Sequence, residues 1–525
     1  MLYLAFIFHM HQPYYKDLLT NEAELPWVRL HGVKDYLDMV RILEKFPKIK
    51  KTFNLVPSLL EQIEDYATGS LKDSYLQLSS KPANELSLSE KQFILDNFFS
   101  INKDKVIATH PRYYDLYFKH LNKGQFNDQD FLDLQVWFNL AWIDPLFREE
   151  MPELKKLVNK ARFYSEEDKQ IVLNKQIEIL KSIIPEYKKF MQSGQVEFTV
   201  TPYYHPILPL LYNTNVAKEA NSRTILPKVN FSYPQDAQSQ INLGVDYFQD
   251  KFGSKPAGMW PSEEAISEHV LPYIIKSGIK WIVLDEAILF KSLKRKKRDT
   301  NLLYQPHLVK REEGELSIVF RDRNLSDLIG FVYHKLTAED AVNDFIKHLN
   351  NIALSFKDQD ILVTIAMDGE NAWEYYTNDG HDFLSLLYQK LSESKTITTT
   401  TVNEYLKTNP AKLKIRRISA GSWIFGEFGK WIGNPQKVKA WEYLAKARKE
   451  LEKLEPKTGD RPLIPGSVPN LELAWKQMYI LEGSDWFWWF GEDPDGSFDR
   501  LFRKHLANFY KIIGKEPPEY TNHPL

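Results

Sequence analysis

The chain has 525 residues, of which 43% are hydrophobic, 14% aromatic and 26% charged, with a formal net charge of -2. That length accommodates two domains or one large barrel with additions, and the near-neutral balance argues against nucleic acid or anionic membrane as a partner, since both select strong positive charge. With no cysteine in the chain, disulfides, thiolate catalysis and cysteine-ligated zinc are excluded.

The chain opens on a short apolar run, residues 2–8 (LYLAFIF). No basic segment precedes it and no small-residue cleavage site comes after it, so it reads as a buried parallel strand and not as a signal peptide. No apolar run approaches the roughly 20 residues of a membrane span, and a soluble, cytoplasmic protein is expected. Similar short runs recur at 51–55 (KTFNL), 196–200 (VEFTV), 257–260 (AGMW), 280–284 (KWIVL), 317–320 (SIVF) and 361–367 (ILVTIAM), with helical patterns between several of them. Seven strands in α/β alternation suit a parallel barrel, and equally a doubly wound sheet.

The stretch between the second and third strands is too long for one crossover and reads as a helical insertion at about 57–192. In it Ser165 and Asp168 form a capping pair, and Leu173, Ile177, Leu180 and Ile184 stripe one helix face. After about residue 390 the strands are expected to stop. Residues 437–455, 471–490 and 497–514 look helical, which divides the chain into a barrel over 1–390 and an all-α C-terminal domain over 391–525. Seven of the thirteen tryptophans fall between 423 and 489, so that domain is a candidate for stacking on sugars as well as for packing. The segment 456–469 (PKTGDRPLIPGSVP) is expected to be a loop overhanging the cleft.

In parallel barrels the catalytic groups sit just past the C-terminal ends of the strands. Past the first come His9, His11 and Gln12; past the third, His205; past the fourth, Glu263 and Glu264; past the fifth, Asp285; past the sixth, Arg321, Asp322 and Arg323; past the seventh, Asp368, Glu370 and Asn371. Carboxylates thus leave two well-separated strands for one rim. Two carboxyls facing each other suit glycoside hydrolysis, one attacking the sugar carbon and one protonating the departing oxygen. The acid must hold its proton near neutral pH, through burial or its partner's charge, and Ile365, Ala366 and Met367 offer Asp368 that burial. Any single acid at a strand end serves as readily to cap a helix or pair an arginine. His9 and His11, two apart in an extended segment, face the same side. With Asp285, Asp322 or His205 they form the metal-site alternative; hydrogen bonding to substrate hydroxyls, or packing, is the favoured use.

The stretches HMHQPYY, TPYYHPILPL, GMWPSEEAIS, MDGENAWEYY and GSWIFGEFGKWIGNP occur in this order and resemble the five sequence regions of glycoside hydrolase family 57. LPWVRLHGVKDYLDMV, LQVWFNLAWIDP and SDWFWWFGEDPDG are similar to its amylopullulanase-like and α-amylase-like members. The resemblance runs from residue 3 to about 518. It implies an incomplete seven-stranded (β/α) barrel followed by a helical domain, with Glu263 as nucleophile, Asp368 as acid/base, His11 and His205 on the sugar at the cleavage point, and Trp423 lining the cleft. His9, Gln12, Trp260, Asp285, Glu370, Trp373 and Trp486 complete the candidate substrate-binding set. The family works without a metal or other cofactor, so none is expected. The implied activity is retaining hydrolysis of α-1,4, and as a second candidate α-1,6, bonds in starch, glycogen or pullulan. A 4-α-glucanotransferase or branching enzyme would use the same two carboxyls. A metal-dependent mannosidase or deacetylase, or a carbohydrate-binding protein without turnover, are more remote alternatives. Two positions depart from the family pattern: Glu264 stands where similar sequences often carry a small residue, and Glu427 where they commonly show Asn or Asp.

Overall fold

The computed structural model describes residues 1–454, 471–493 and 495–525; the expected overhanging loop at 456–469 lies outside the described residues. Seven strands run parallel: β1 (Leu2–Met10), β2 (Lys51–Leu55), β3 (Val196–Val200), β4 (Gly258–Met259), β5 (Trp281–Asp285), β6 (Gly314–Arg321) and β7 (Ile361–Asp368). All seven expected runs form strands, within a few residues of their expected bounds. They are apolar on both faces because the barrel interior covers one face and helices cover the other.

The sheet runs in the order β7-β1-β2-β3-β4-β5-β6. The ring is joined between β6 and β7 through a single pair, Arg321 with Thr364, where the Asp322 N–H donates to the Thr364 carbonyl at 2.8 Å. Away from that point β6 gives its free edge to an antiparallel strand, His307–Arg311. The barrel is therefore incomplete: the seam is held at its C-terminal rim, where chemistry is placed, and filled elsewhere by a hairpin.

Strands do not stop at residue 390. Ile397–Thr399 pairs with Leu2–Leu4 of β1, and Leu413–Lys414 pairs with His307 and Leu308. The β-branched run TITTTTV over 396–402 carries that preference, but both strands are too short for a periodicity to show.

The insertion is helical, with α1 (Pro57–Thr68), α2 (Asp128–Ala141) and α3 (Glu166–Ser193) among its helices. Ser165 and Asp168 form the expected reciprocal cap. The buried face of α3 is centred on Val172, Gln176, Ile179, Ile183, Tyr187 and Phe190, so Ile177 and Ile184 border it and the expected stripe is rotated. A buried Gln176 explains the shift: it donates to the Asn139 carbonyl and accepts from Arg29, a polar role that a count of apolar residues misses. After β7 comes α4 (His381–Glu393), and the C-terminal region carries α5 (Pro435–Glu452), α6 (Leu471–Leu481), α7 (Ser484–Trp489) and α8 (Ser497–Ile512). The expected single helix 471–490 is two helices, because Gly483 leaves α6 to pair with Pro206. No described helix is long and apolar enough to cross a membrane.

Candidate active site

Two chain reversals at strand ends hold non-glycine residues at positive φ: His205 (56°) beyond β3, and Glu263 (60°) with Glu264 (51°) beyond β4. Such backbone costs on the order of 1–3 kcal/mol per residue and persists only where the surroundings enforce it. Both reversals are gripped by the C-terminal region. The Ser484 N–H donates to the His205 carbonyl at 3.0 Å, and the Trp423 N–H donates to the Glu263 carbonyl at 3.2 Å. Pro206 pairs with Gly483, and Ile266 pairs with Gly421. At Gly421 (φ 157°) a Cβ would meet the Gly426 carbonyl oxygen at 2.2 Å, so only glycine lets the two backbones meet there.

The side chains repeat this grip. Trp423 Nε1–H donates to Glu263 Oε2 at 2.8 Å, and the Trp423 ring lies on Trp488 with centroids 6.1 Å apart and planes 12° apart. Burial pushes the Glu263 carboxyl up to about 8, the Trp423 hydrogen bond opposing and the Asp368 charge adding to it. Glu263 keeps 17% of its side chain exposed, whereas the neighbouring Glu264 is 1% exposed. Burial raises the Glu264 carboxyl strongly, against the pull of Arg321, and its Oε2 has no partner. Of the two adjacent acids, Glu263 is the one a ligand can reach.

Asp368 ends β7 in register with His9 of β1. Next to it the Gly369 N–H donates to the His9 carbonyl at 2.8 Å. Asp368 is solvent-exposed at the cleft, yet the surrounding protein removes enough water to raise its carboxyl, against a hydrogen bond from Asn371 Nδ2 (3.0 Å) and the charges of His11 and Arg321.

Three imidazoles floor the cleft. His9 Nδ1 donates to Asn54 Oδ1 at 2.6 Å, and its ring stacks on Trp260 at 5.0 Å. His11 stacks on His205 with centroids 4.0 Å apart and planes 22° apart. His11 Nε2 donates to Asp485 Oδ1 at 2.8 Å, and His205 Nδ1 shares a hydrogen bond with Ser484 Oγ at 2.8 Å. Burial, then the mutual charges of the three, holds His9 down at about 3 and His205 well below the usual imidazole range. Two ring nitrogens, His11 Nδ1 and His205 Nε2, are buried without a partner.

Of the three partners that the metal alternative named, His205 meets His9 and His11, while Asp285 and Asp322 are engaged elsewhere. Asp285 pairs with Arg321 and Arg323, and Asp322 caps the helix after it while pairing with Arg298. His11, His205 and Asp485 do present ligand atoms within 4.8 Å of one another. Face-to-face imidazoles, however, hold their lone pairs in near-parallel planes about one ring spacing apart, and a single ion cannot lie in both.

Of the remaining candidates, Trp260, Gln12 and Glu370 are buried at the rim; Glu370 is pushed well above the usual range by burial and by Asp368. Asp285, Trp373 and Trp486 are buried and engaged with protein groups. Asp285 is wholly buried and holds the two arginines. Trp373 donates to the Gly369 carbonyl at 2.7 Å, and Trp486 donates to the Ile480 carbonyl at 2.8 Å. Each is core, bracing a loop that carries a site residue. Asn54, Ser484, Asp485 and Trp488 contact His9, His205, His11 and Trp423 of the candidate site and are absent from the sequence-based set. Asp485 and Trp488 stand in SDWFWWFGEDPDG, but nothing in that stretch shows that it meets His11, more than 470 residues earlier.

The model of the family "Glycosyl hydrolase family 57" matches residues 5–418. The chain is 27% identical over 281 residues to "Alpha-amylase 1" of Dictyoglomus thermophilum, a match covering 52% of this chain and 34% of that protein; the chain thus spans about a third of that curated relative. Among solved structures it is similar to a branching enzyme from Thermococcus kodakaraensis, with TM-score 0.64 and 14% identity over 97% of this chain and 90% of that one. It is also similar to a 4-alpha-glucanotransferase from Thermococcus litoralis, with TM-score 0.54 and 16% identity over 97% and 60%.

Proposed function

The chain belongs to glycosyl hydrolase family 57, and from that premise we propose that it is a retaining enzyme of α-glucans, cutting α-1,4 bonds, with α-1,6 bonds as a second candidate linkage. One observation carries this reading. Glu263 and Asp368 leave different strands for one rim, the Asp368 charge acts on Glu263, and both have raised carboxyls beside two imidazoles, His11 and His205, with unpartnered ring nitrogens. Unpartnered ring nitrogens suit hydrogen bonding to a neutral polyhydroxylated ligand, and two raised carboxyls on one rim suit acid and nucleophile roles.

In the proposed cycle a Glu263 oxygen bonds to the anomeric carbon while Asp368 gives its proton to the departing glycosidic oxygen. Asp368 then takes a proton from an incoming hydroxyl, which attacks the same carbon and releases Glu263. Without a sugar beside it Glu263 is raised to about 8, the opposite of what a nucleophile requires. Two effects oppose this: positive charge developing on the sugar in the transition state favours the Glu263 carboxylate, and a sugar covering the exposed Asp368 favours its neutral form, removing the charge that raises Glu263. The C-terminal region belongs to the proposed active unit. Pairing of Ile397–Thr399 and Leu413–Lys414 with the barrel sheet supports moving the boundary proposed at 390 to beyond Lys414.

If the incoming hydroxyl belongs to water the enzyme hydrolyses; if it belongs to a sugar the enzyme transfers, as a glucanotransferase or branching enzyme would. Incubation with amylose, pullulan and maltooligosaccharides separates these outcomes. The proposal expects new reducing ends, with the α-anomer first in proton NMR. A β-anomer first contradicts the double displacement, and redistributed chain lengths without new reducing ends identify transfer. Loss of turnover on chelation below the melting transition, restored by zinc, would favour the metal-dependent alternative.

A further inference from the structure

A second cluster lies outside the cleft, where the insertion meets the segment after β7. Asp38 opens the short helix Asp38–Arg41. Asp144 caps the helix Pro145–Glu150, its Oδ1 accepting from the Leu146 N–H at 2.7 Å. His381 opens α4, and its Nε2 lies 3.0 and 2.9 Å from the two Asp144 oxygens. One ligand atom from each of the three lies within 4.8 Å of the other two.

Among the charged groups around them, Asp38 has no direct partner. Asp35, Asp38, Asp144 and Asp379 are gathered here, close enough for their charges to act on one another. Lys34 is engaged by Asp35 and Asp379, His31 by Asp35, and His381 by Asp144. Arg148 hydrogen-bonds to His110 while feeling the charges of Asp144 and Asp379, and Lys51 hydrogen-bonds to the Tyr388 hydroxyl while feeling that of Asp38. Asp38 feels Lys34 and Lys51 only at a distance: it is 3% exposed and its Oδ1 has no hydrogen-bond partner. A buried carboxylate is stable only when protonated, paired or bound to a cation.

We propose that Asp38, Asp144 and His381 bind one divalent transition-metal cation of the zinc class, tying the helical insertion to α4. Two carboxylate oxygens and one imidazole nitrogen are a zinc donor set, whereas calcium and magnesium take oxygen ligands. Donors about 2.0–2.2 Å from a tetrahedral zinc stand roughly 3.3–3.6 Å apart, a spacing that small shifts within the present cluster provide. The His381–Asp144 hydrogen bonds give way when the ion takes the proton's place. The role is structural: it anchors the far end of the loop that begins at Asp368, and it leaves the sugar chemistry to the cleft.

The full-length protein, stripped with chelator and then equilibrated with zinc, manganese or calcium, tests this by metal analysis after gel filtration and by thermal melting. The expected result is one zinc per chain and a melting temperature several degrees higher. Asp38→Asn and His381→Gln should both lose the bound zinc and the shift, with affinity falling by more than the roughly 10- to 100-fold that losing even an outer partner of a metal ligand costs. His11→Ala should keep both. The proposal is overturned if the wild type retains no metal and does not shift, or if Asp38→Asn retains zinc. It is overturned equally if zinc is lost in His11→Ala, which would place the ion in the cleft. A metal-free wild type that Asp38→Asn stabilises would show that a proton, not a cation, satisfies Asp38.

Discussion

Glu263 and Asp368 stand on one rim but are held in opposite ways. Asp368 continues a regular strand, its backbone fixed by the ladder to β1 and its carboxyl steadied by Asn371 within the same turn. Glu263 sits on left-handed backbone beyond a two-residue strand, and a segment some 160 residues later fixes both its carbonyl and its carboxyl. A group that must keep its place as charge appears beside it gains from a second, distant support. A group that trades protons with incoming oxygens gains from access. Local structure supplies the accessible acid, and tertiary structure supplies the restrained one.

The largest expected effect tests whether both sides are catalytic. Glu263→Gln and Asp368→Asn should each lower kcat/KM by at least ~10²–10⁴-fold with unchanged melting temperature, read by reducing-sugar assay and calorimetry. If Glu264→Gln alone is dead, the reactive acid lies one residue later and the comparison fails.

Trp423→Phe probes the distant support. It removes the N–H that favours ionised Glu263, so the Glu263 carboxyl rises further above about 8. A hydrogen bond to a charged group is worth about 1.5–3 kcal/mol, and the expected loss in kcat/KM is roughly tenfold or more. Because a raised pKa leaves less carboxylate at any pH below it, the loss should be greatest below pH 8 and shrink above it. A loss independent of pH would mean that Trp423 only stacks.

Glycines on the two sides sharpen the contrast. In Gly421→Ala the new Cβ meets backbone, the Gly426 carbonyl at 2.2 Å, whereas in Gly369→Ala it meets the movable end of the Met10 side chain, Sδ at 2.2 Å. Overpacking costs about 1–3 kcal/mol where nothing can yield. Denaturant melts should show the larger destabilisation, and the larger fall in activity, for Gly421→Ala; the reverse order would undo the account of the grip on Glu263. The smallest effect belongs to Asn371→Ala. Losing its hydrogen bond raises the exposed Asp368 carboxyl a little, keeping it protonated to higher pH, so relative activity should rise on the alkaline side with little change in stability.

The same contrast explains which features are legible in the sequence. All seven barrel strands are, because each is a short apolar run buried on both faces. Asp368, His9 and Asp285 can be placed from their positions at the C-terminal ends of those runs. Whether a residue there touches ligand is not legible: Asp285 and Trp373 occupy rim positions yet point into ion pairs and core. Ser484, Asp485 and Asn54 escape a reading of the sequence, because their roles exist only where α7 and β2 meet the histidines. The strand pair Ile397–Thr399 is hidden by its length, and the rotated face of α3 by the buried polar Gln176.

The most direct test of the central assignment is to trap the sugar on the enzyme. Asp368→Asn slows both halves of the proposed cycle, and a 5-fluoro-α-glucosyl fluoride, whose good leaving group needs no acid, should restore only the first. Mass mapping of the digested protein should then show one glucosyl adduct, on Glu263. An adduct on Glu264, or no adduct together with a first-formed β-anomer from the wild type, would contradict the account.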